Sequence, residues 1–254
     1  MKQPAVQRLN NGLLGTFERP ILHWLARRLP PWVLPDHLSL CGVCGSLIAA
    51  FGYVGSRWSI QWLWLACIGV ILNWAGDSLD GTVARFRRIE RHRYGFFVDR
   101  IADLWSKPII FLGLAFSSLA RFDVIAMALV VLLMASAYSL VYSHASREQR
   151  ITYAGFGPTE IRFLLICANL FTLSFGIADA SQWIPLRTDL PVITVFDLLA
   201  ITLSAAAFVT LALLTLRDRR ALDREDPIIG APAFRDPPQD TAPSIPLPSP
   251  RNAA

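Results

Sequence analysis

Four aspartates with helical spacing are the residues of this sequence best suited to chemistry. Asp77 and Asp80 are three residues apart, and Asp99 and Asp103 are four apart, so each pair occupies one face of a helix. The intervening loop lets the two faces meet, and four carboxylates can then converge. Because the acids border apolar segments, they are costly unless cations neutralise them, and a divalent metal is the simplest remedy.

The ligand chemistry of these acids indicates the kind of metal and substrate. Oxygen ligands without nearby Cys or a convergent His pair favour Mg²⁺ or Mn²⁺ over Zn²⁺, and such ions usually hold substrate phosphates as well. Gly81 and Ala84 leave one helical face without bulk, where a flat group can approach the backbone. Arg85 offers a guanidinium fork for phosphate oxygens. The sequence therefore predicts a pocket for a nucleotide diphosphate.

The composition places this pocket in a membrane protein. The 254 residues are 54% hydrophobic and 17% charged, and the apolar residues form long runs without charge, which excludes an ordinary water-soluble enzyme. A net charge of +5 is compatible with nucleic-acid binding, but the basic residues are mostly arginines gathered between apolar runs. We therefore expect membrane lipids and no nucleic acid as partners.

Six membrane spans are predicted from the lengths of the apolar runs. A span needs about 20 mostly apolar residues, and five runs reach or approach that length: 38–56, 58–76, 124–144, 163–178 and 198–216. The sixth run, 108–120, reaches it only if its helix begins near Phe96 and includes Asp99 and Asp103. The expected fold class is an all-α integral membrane protein with six transmembrane helices, one of which carries charges.

The basic residues predict how the spans are oriented. Arg57, Arg121 and Arg187 stand singly in connectors of one side, whereas basic clusters lie on the other, at 27–28, 85–93, 147–150 and 217–224. The positive-inside rule then places both termini and the active site on the cytoplasmic side, in a bacterial inner membrane. No cleavable signal peptide is expected, because the first thirty residues lack a suitable apolar core.

Three regions follow along the chain. Residues 1–37 are predicted to hold an amphipathic helix on the cytoplasmic interface, over 9–29 with a kink at Pro20, and an entering segment broken by prolines. Residues 38–216 form the transmembrane catalytic domain. Residues 217–254 are a basic and then Pro-rich tail with too little apolar mass to fold.

The acidic motif and its neighbours resemble a known signature. The run Asp77-x-x-Asp80-Gly81-x-x-Ala84-Arg85, followed by Gly95-x-x-x-Asp99-x-x-x-Asp103, is similar to that of the CDP-alcohol phosphotransferase family. All eight motif residues are present, although the spacer from Phe86 to Tyr94 is one residue longer than expected. The resemblance covers the whole membrane portion and implies an interfacial N-terminal helix followed by six spans.

The resemblance also implies a role for each motif residue. Asp103 would be the catalytic general base on the acceptor hydroxyl. The ligands of Mg²⁺ or Mn²⁺, two ions in all, would be Asp77, Asp80, Asp99 and Asp103. The CDP group would be held by Gly81, Ala84, Arg85 and Gly95. The reaction displaces CMP from a CDP-linked donor and forms a phosphodiester with an alcohol.

The substrates are less sharply indicated. We favour CDP-diacylglycerol as donor and a small polar alcohol as acceptor. The candidate acceptor-binding residues are Arg147, Arg150, Glu160 and Arg162, although Glu160 equally suits a helix cap. The run 143–146 lacks the Arg-Ala-Glu-like pattern expected of members that use phosphorylated acceptors. The converse, in which CDP-ethanolamine or CDP-choline donates to diacylglycerol, stays open because 157–160 also resembles that branch.

The same residues also bear on two other functions and on the oligomeric state. A magnesium-dependent membrane prenyltransferase needs a second aspartate motif. Asp179, Asp189 and Asp197 either lack the spacing of such a motif or fall on the opposite side of the membrane. A small ion-coupled transporter needs acids near the membrane midplane, whereas these acids cluster toward one face. Small residues along several spans permit a homodimer.

Overall fold

The computed structural model describes residues 8–9, 15–146, 149–150, 157–176 and 193–225. Nearly all of these residues are helical, and the helices are α1 Gly15–Arg28, α2 Pro35–Gly55, α3 Leu63–Phe86, α4 His92–Ala115, α5 Phe122–Ser146, α6 Pro158–Phe175 and α7 Val195–Glu225. A short 3-10 helix, Ile60–Trp62, leads into α3. Strands β1, Arg8–Leu9, and β2, Gln149–Arg150, form a parallel pair with Arg8 opposite Gln149.

Five helical segments of the described chain are long and apolar enough to cross a membrane. They are Pro35–Gly55, Ile60–Phe86, Phe122–Ser146, Pro158–Phe175 and Val195–Arg224. These segments coincide with the five long apolar runs of the sequence, which confirms the prediction of a helical integral membrane protein. Helix α4 also forms and begins at His92, before Phe96, so that Asp99 and Asp103 lie within it as expected.

One predicted boundary was wrong. The interfacial helix was expected from residue 9, but Leu9 belongs to β1 and α1 begins at Gly15. The second apolar run ends at Gly76, and α3 continues beyond it to Phe86, so Asp77 and Asp80 lie on one continuous helix as expected. Residues 77–86 contain no proline, and a single helical glycine such as Gly81 costs only about 1 kcal/mol, which does not end a helix.

Glycines bring the backbones of α2 and α3 into direct contact. A Cβ atom at Gly45, Gly69 or Gly76 would overlap the backbone of the facing helix. Between these positions, the Asn73 amide nitrogen on α3 donates to the Gly42 carbonyl oxygen at 3.1 Å and to Ser46 Oγ at 2.9 Å. This close packing fixes the side of α3 that turns away from α2.

Helix α1 packs against α3 through its own apolar face. Leu22 and Ala26 are buried in a cluster with Leu79 and Val83 of α3. The C-terminal end of α1 and the segment after it are tied by Arg87, whose guanidinium donates to four backbone carbonyl oxygens at 2.6 to 3.2 Å. The carbonyls belong to Leu29, Pro30, Pro31 and Val33. One arginine therefore satisfies four carbonyl acceptors in the proline-rich segment that follows α1.

The chain divides into two compact units, Met1–Thr215 and Leu216–Ala254. The first contains the helices from α1 to α6 and most of α7. The second is described as far as Glu225, so the predicted Pro-rich tail lies outside the described residues, as do residues 177–178 at the end of the fifth apolar run.

Arg87→Lys is expected to lower the midpoint of thermal unfolding in detergent, because an ammonium group cannot reach all four carbonyls that the guanidinium fork contacts. The expected loss is about 1 to 3 kcal/mol. The control is Arg88→Lys at the exposed neighbouring position, which should melt like the wild type. Equal midpoints for the two variants would contradict the assigned role of Arg87.

Candidate functional site

All four aspartates of the motif line a single cavity of about 1030 Å³. Side chains of α1, α3, α4, α5, α6 and α7 contribute to its wall. Asp77 and Asp80 reach this cavity from α3, and Asp99 and Asp103 reach it from α4. The helical spacing therefore does bring the two acidic pairs together across α3 and α4.

Asp77 and Asp103 share a cationic partner on a third helix. Arg162, in the first turns of α6, places its Nη1 atom 2.7 Å from Asp77 Oδ2 and its Nη2 atom 3.8 Å from Asp103 Oδ1. Its Nε atom donates to Asn73 Oδ1 at 2.7 Å. Asp103 has a second partner, Lys107 one turn along α4, whose Nζ lies 3.1 Å from Oδ2.

Asp80 and Asp99 have other partners. Ser39 Oγ on α2 donates to Asp80 Oδ2 at 2.6 Å, and the Gly81 amide donates to Asp80 Oδ1. Arg100 places Nη2 3.2 Å from Asp99 Oδ2. Each acid of the cluster is therefore held by a hydroxyl, an amide or a basic group of the chain itself.

The four residues predicted to hold CDP are not equally placed. Gly81 and Arg85 line the cavity. Ala84 and Gly95 are not among the residues that line it, and a Cβ atom added at Gly95 would meet no other atom within 4 Å. The position of Gly81 and Arg85 is thus compatible with the predicted binding of CDP in this cavity. The positions of Ala84 and Gly95 add no support for it.

The four residues predicted to bind the acceptor also differ in where the structure places them. Glu160 is buried, and its Oε2 accepts from the Gly157 amide at 2.8 Å, so it caps the N-terminus of α6. Arg162 belongs to the acidic cluster. Arg147 lies outside the described residues, and only the backbone of Arg150 is described.

The acids of the described residues do not form a ready metal site. Within that part of the chain, no group of three or more His, Cys, Asp or Glu side chains is arranged to hold an ion. The charge that the sequence argument assigned to a metal is supplied here by Arg162, Lys107 and Arg100. The donor set of four carboxylates around one cavity nevertheless has the chemistry that Mg²⁺ and Mn²⁺ prefer.

The same cavity continues along an apolar wall. On α4 the lining extends from Asp103 to Phe111, eight residues or roughly 12 Å further along the helix. Helices α5 and α7 line this part with small and aliphatic side chains, among them Ala128, Val131, Leu132, Ala135, Ala200, Leu203, Ala206 and Ala207. The cavity therefore joins a charged region to a region lined largely by apolar side chains.

Residues 32–214 match the CDP-alcohol phosphatidyltransferase family. The chain belongs to this family. No curated protein matches the chain.

Membership in the CDP-alcohol phosphatidyltransferase family confirms the resemblance that was noted in the motif. It identifies the chain as a membrane-bound transferase of phospholipid biosynthesis that acts on a CDP-linked substrate and an alcohol. It also favours this reaction over the prenyltransferase and transporter alternatives. The matched range contains every motif residue from Asp77 to Asp103 as well as α6 and Arg162.

One residue beside the CDP-alcohol phosphatidyltransferase motif was missed by the sequence analysis. Glu18 on α1 lines the cavity, and its Oε1 accepts from Trp74 Nε1 at 2.9 Å and from Ser78 Oγ at 2.6 Å. Its Oε2 accepts from Thr159 Oγ1 of α6 at 3.3 Å. The available signal was that Glu18 is the single acid of an otherwise basic and apolar helix.

Glu18→Ala is expected to lower the thermal unfolding midpoint in detergent and to expose α1 to proteolysis, because it leaves the part-buried donors Trp74 Nε1 and Ser78 Oγ without their acceptor. The expected cost is about 1 to 3 kcal/mol for each unpaired group. Glu18→Gln is the matched control, since it keeps an oxygen at Oε1 and should behave nearly as the wild type. Equal loss in both variants would assign the effect to charge and contradict this anchoring role.

Proposed function

We propose that this protein transfers a phosphatidyl group from CDP-diacylglycerol to a small polar alcohol and releases CMP, at the cytoplasmic face of a bacterial inner membrane. One observation carries the proposal: a single cavity joins the four aspartates of the motif to an apolar wall on α5 and α7. A substrate with a charged diphosphate and hydrocarbon chains matches both regions.

Mg²⁺ or Mn²⁺, two ions in all, is part of the proposal because the donor set fits such ions. Asp77, Asp80, Asp99 and Asp103 would hold them. When bound, the ions would neutralise the diphosphate and the CMP leaving group. Gly81 and Arg85, which line the cavity beside these acids, would hold the CDP group, with Ala84 and Gly95 as the remaining motif positions.

Asp103 is proposed as the general base for the acceptor hydroxyl. Its Oδ2 atom is held by Lys107 at 3.1 Å, whereas the contact of Oδ1 with Arg162 is longer, at 3.8 Å. Oδ1 is therefore the oxygen that we assign to take the proton as the hydroxyl oxygen attacks phosphorus. Arg162 and Glu160 of α6 are candidates to bind the acceptor, and Arg147 and Arg150 are the other candidates.

The proposed topology has six spans with an interfacial helix before them. Helix α4 has 24 residues, or roughly 36 Å, which is sufficient to cross about 30 Å of hydrocarbon. On α1, Ile21 and Trp24 are about half exposed while Leu22 and Ala26 are buried, which suits a helix lying between the protein and a lipid surface. The regions 1–37, 38–216 and 217–254 are retained as the proposed division, and the homodimer stays a prediction.

The test is CMP release by the detergent-purified protein with CDP-diacylglycerol and either Mg²⁺ or Mn²⁺. The acceptors are serine, inositol, inositol phosphate, glycerol phosphate, ethanolamine and choline. We expect metal-dependent release with one of them. Activity only with CDP-ethanolamine or CDP-choline plus diacylglycerol would reverse donor and acceptor, and silence with every pair would contradict the proposal.

Asp103→Asn is expected to reduce CMP release at least 100-fold, which is within the range that general-base catalysis supplies. Binding of the CDP-linked donor should persist, because the asparagine keeps the shape of the side chain. Asp77→Asn should instead weaken metal-dependent donor binding itself. Asp123→Asn, at an exposed acid outside the cavity, is the control. Wild-type turnover in Asp103→Asn would remove Asp103 as the base.

Ala135→Phe is expected to lower turnover of long-chain lipid substrate about tenfold, because a phenyl ring would fill part of the apolar wall of the cavity. CMP binding, measured by calorimetry, should stay unchanged. Met127→Phe on the same helix is the control, since Met127 is 64% exposed and lies outside the lining. If Ala135→Phe turned over the lipid like this control, the apolar wall would not be the lipid site.

A further inference from the structure

Arg162 differs from the other basic partners of the acidic cluster in what it joins. Lys107 and Arg100 each contact an acid of their own helix. Lys107 lies four residues after Asp103, and Arg100 directly follows Asp99. Arg162 comes from α6 and contacts Asp77 on α3 and Asp103 on α4. Its side chain is only 10% exposed, and its third contact is to Asn73 Oδ1.

This position makes Arg162 a direct competitor for a metal ion. Mg²⁺ needs its ligand oxygens within about 2.0 to 2.1 Å, and Mn²⁺ is similarly demanding of oxygen donors. Asp77 Oδ2 is instead bound by the guanidinium at 2.7 Å. Two cations at the same carboxylate repel each other, so full engagement of Asp77 and Asp103 by a metal requires the guanidinium to withdraw.

Arg162 is not itself a lining residue of the cavity, but both carboxylates that it contacts, Asp77 and Asp103, do line it. Glu18 lines the same cavity, and the negative charge of these acids attracts a withdrawn guanidinium toward them. A planar fork of donors freed from two carboxylates is well matched to a phosphate group. Anion binding and metal binding then favour each other, since each stabilises the same withdrawn position of the side chain.

We propose that Arg162 is the resident counter-ion of the acidic cluster, which it yields to the metal while its guanidinium transfers to a phosphate group of a substrate. This inference rests on the proposed function, because it assumes that Asp77 and Asp103 are metal ligands. It assigns Arg162 a positioning role that couples two ligands. The phosphate belongs either to the donor diphosphate or to a phosphorylated acceptor.

The experiment measures Mn²⁺ binding to the full-length protein in detergent, by calorimetry and by the Mn²⁺ electron paramagnetic resonance signal. Arg162→Gln should bind Mn²⁺ at least tenfold more tightly than the wild type when no anion is present. Inorganic phosphate should raise the Mn²⁺ affinity of the wild type, and this gain should fall at least threefold in Arg162→Gln. Arg121→Gln, which removes a charge outside the cavity, should match the wild type.

A second variant covers the case in which Arg162→Gln does not fold. Arg162→Lys keeps the charge but cannot reach Asn73 and both acids with one ammonium group, so its Mn²⁺ affinity should rise at least threefold. Wild-type or weaker Mn²⁺ affinity in Arg162→Gln, or in Arg162→Lys if only that variant folds, would overturn the proposal. Absence of Mn²⁺ binding in every form would overturn it as well.

Additional probes identify the source of the phosphate and separate the two proposals. A loss of coupling in Arg162→Gln seen with CDP assigns the donor diphosphate, and one seen with glycerol phosphate assigns the acceptor. Mn²⁺ binding that responds to Arg162 without CMP release from any substrate pair would contradict the proposed function alone. CMP release together with an unresponsive Mn²⁺ affinity would contradict the counter-ion proposal alone.

Discussion

The need to neutralise four carboxylates inside a helical membrane protein is the constraint on which the rest of this structure depends. Unpaired acids in such surroundings are strongly disfavoured, so every neighbouring helix that supplies a partner is fixed by that partner. Ser39 brings α2 to Asp80, and Arg162 brings α6 to Asp77 and Asp103. Helix packing and the assembly of the site are therefore one problem here.

Helix α3 meets this constraint by having two different faces. Toward α2 it presents glycines that allow backbone contact, and toward the cavity it presents Asp77, Asp80 and Gly81. Asn73 lies where the two faces meet, because its amide nitrogen bonds to α2 while its oxygen bonds to Arg162. These contacts of Asn73 fix the position of the acidic cluster relative to α2 and α3, the most tightly packed pair of helices.

The sequence predicted the features that depend on local pattern. Five charge-free runs became five helices, because the length of an apolar segment is enough to determine a span. The spacing of the aspartates placed each pair on one face, and the capping role of Glu160 followed from its distance to the helix start. Helix α3 extends past its apolar run to Phe86, because a charged residue ends an apolar run without ending a helix.

Contacts between segments that are far apart in the sequence could not be predicted from such patterns. Arg162 and Asp77 are separated by 85 positions, so no local spacing in the sequence indicates their ion pair. Glu18 contacts residues 56, 60 and 141 positions away, and no local spacing announces those pairings. Gly95 matches the motif in sequence, yet the cavity lining does not include it, because a motif fixes order along the chain and not direction in space.

The anchoring of α1 has a consequence for the order in which the protein is made. Helix α1 has 14 residues, which is marginal for a helix in isolation. Its side-chain hydrogen bonds come from Trp74 and Ser78 of α3, which are synthesised much later, and from Thr159 of α6, which follows later still. The contacts that hold Glu18 in the cavity wall can therefore be complete only after α6 has been synthesised.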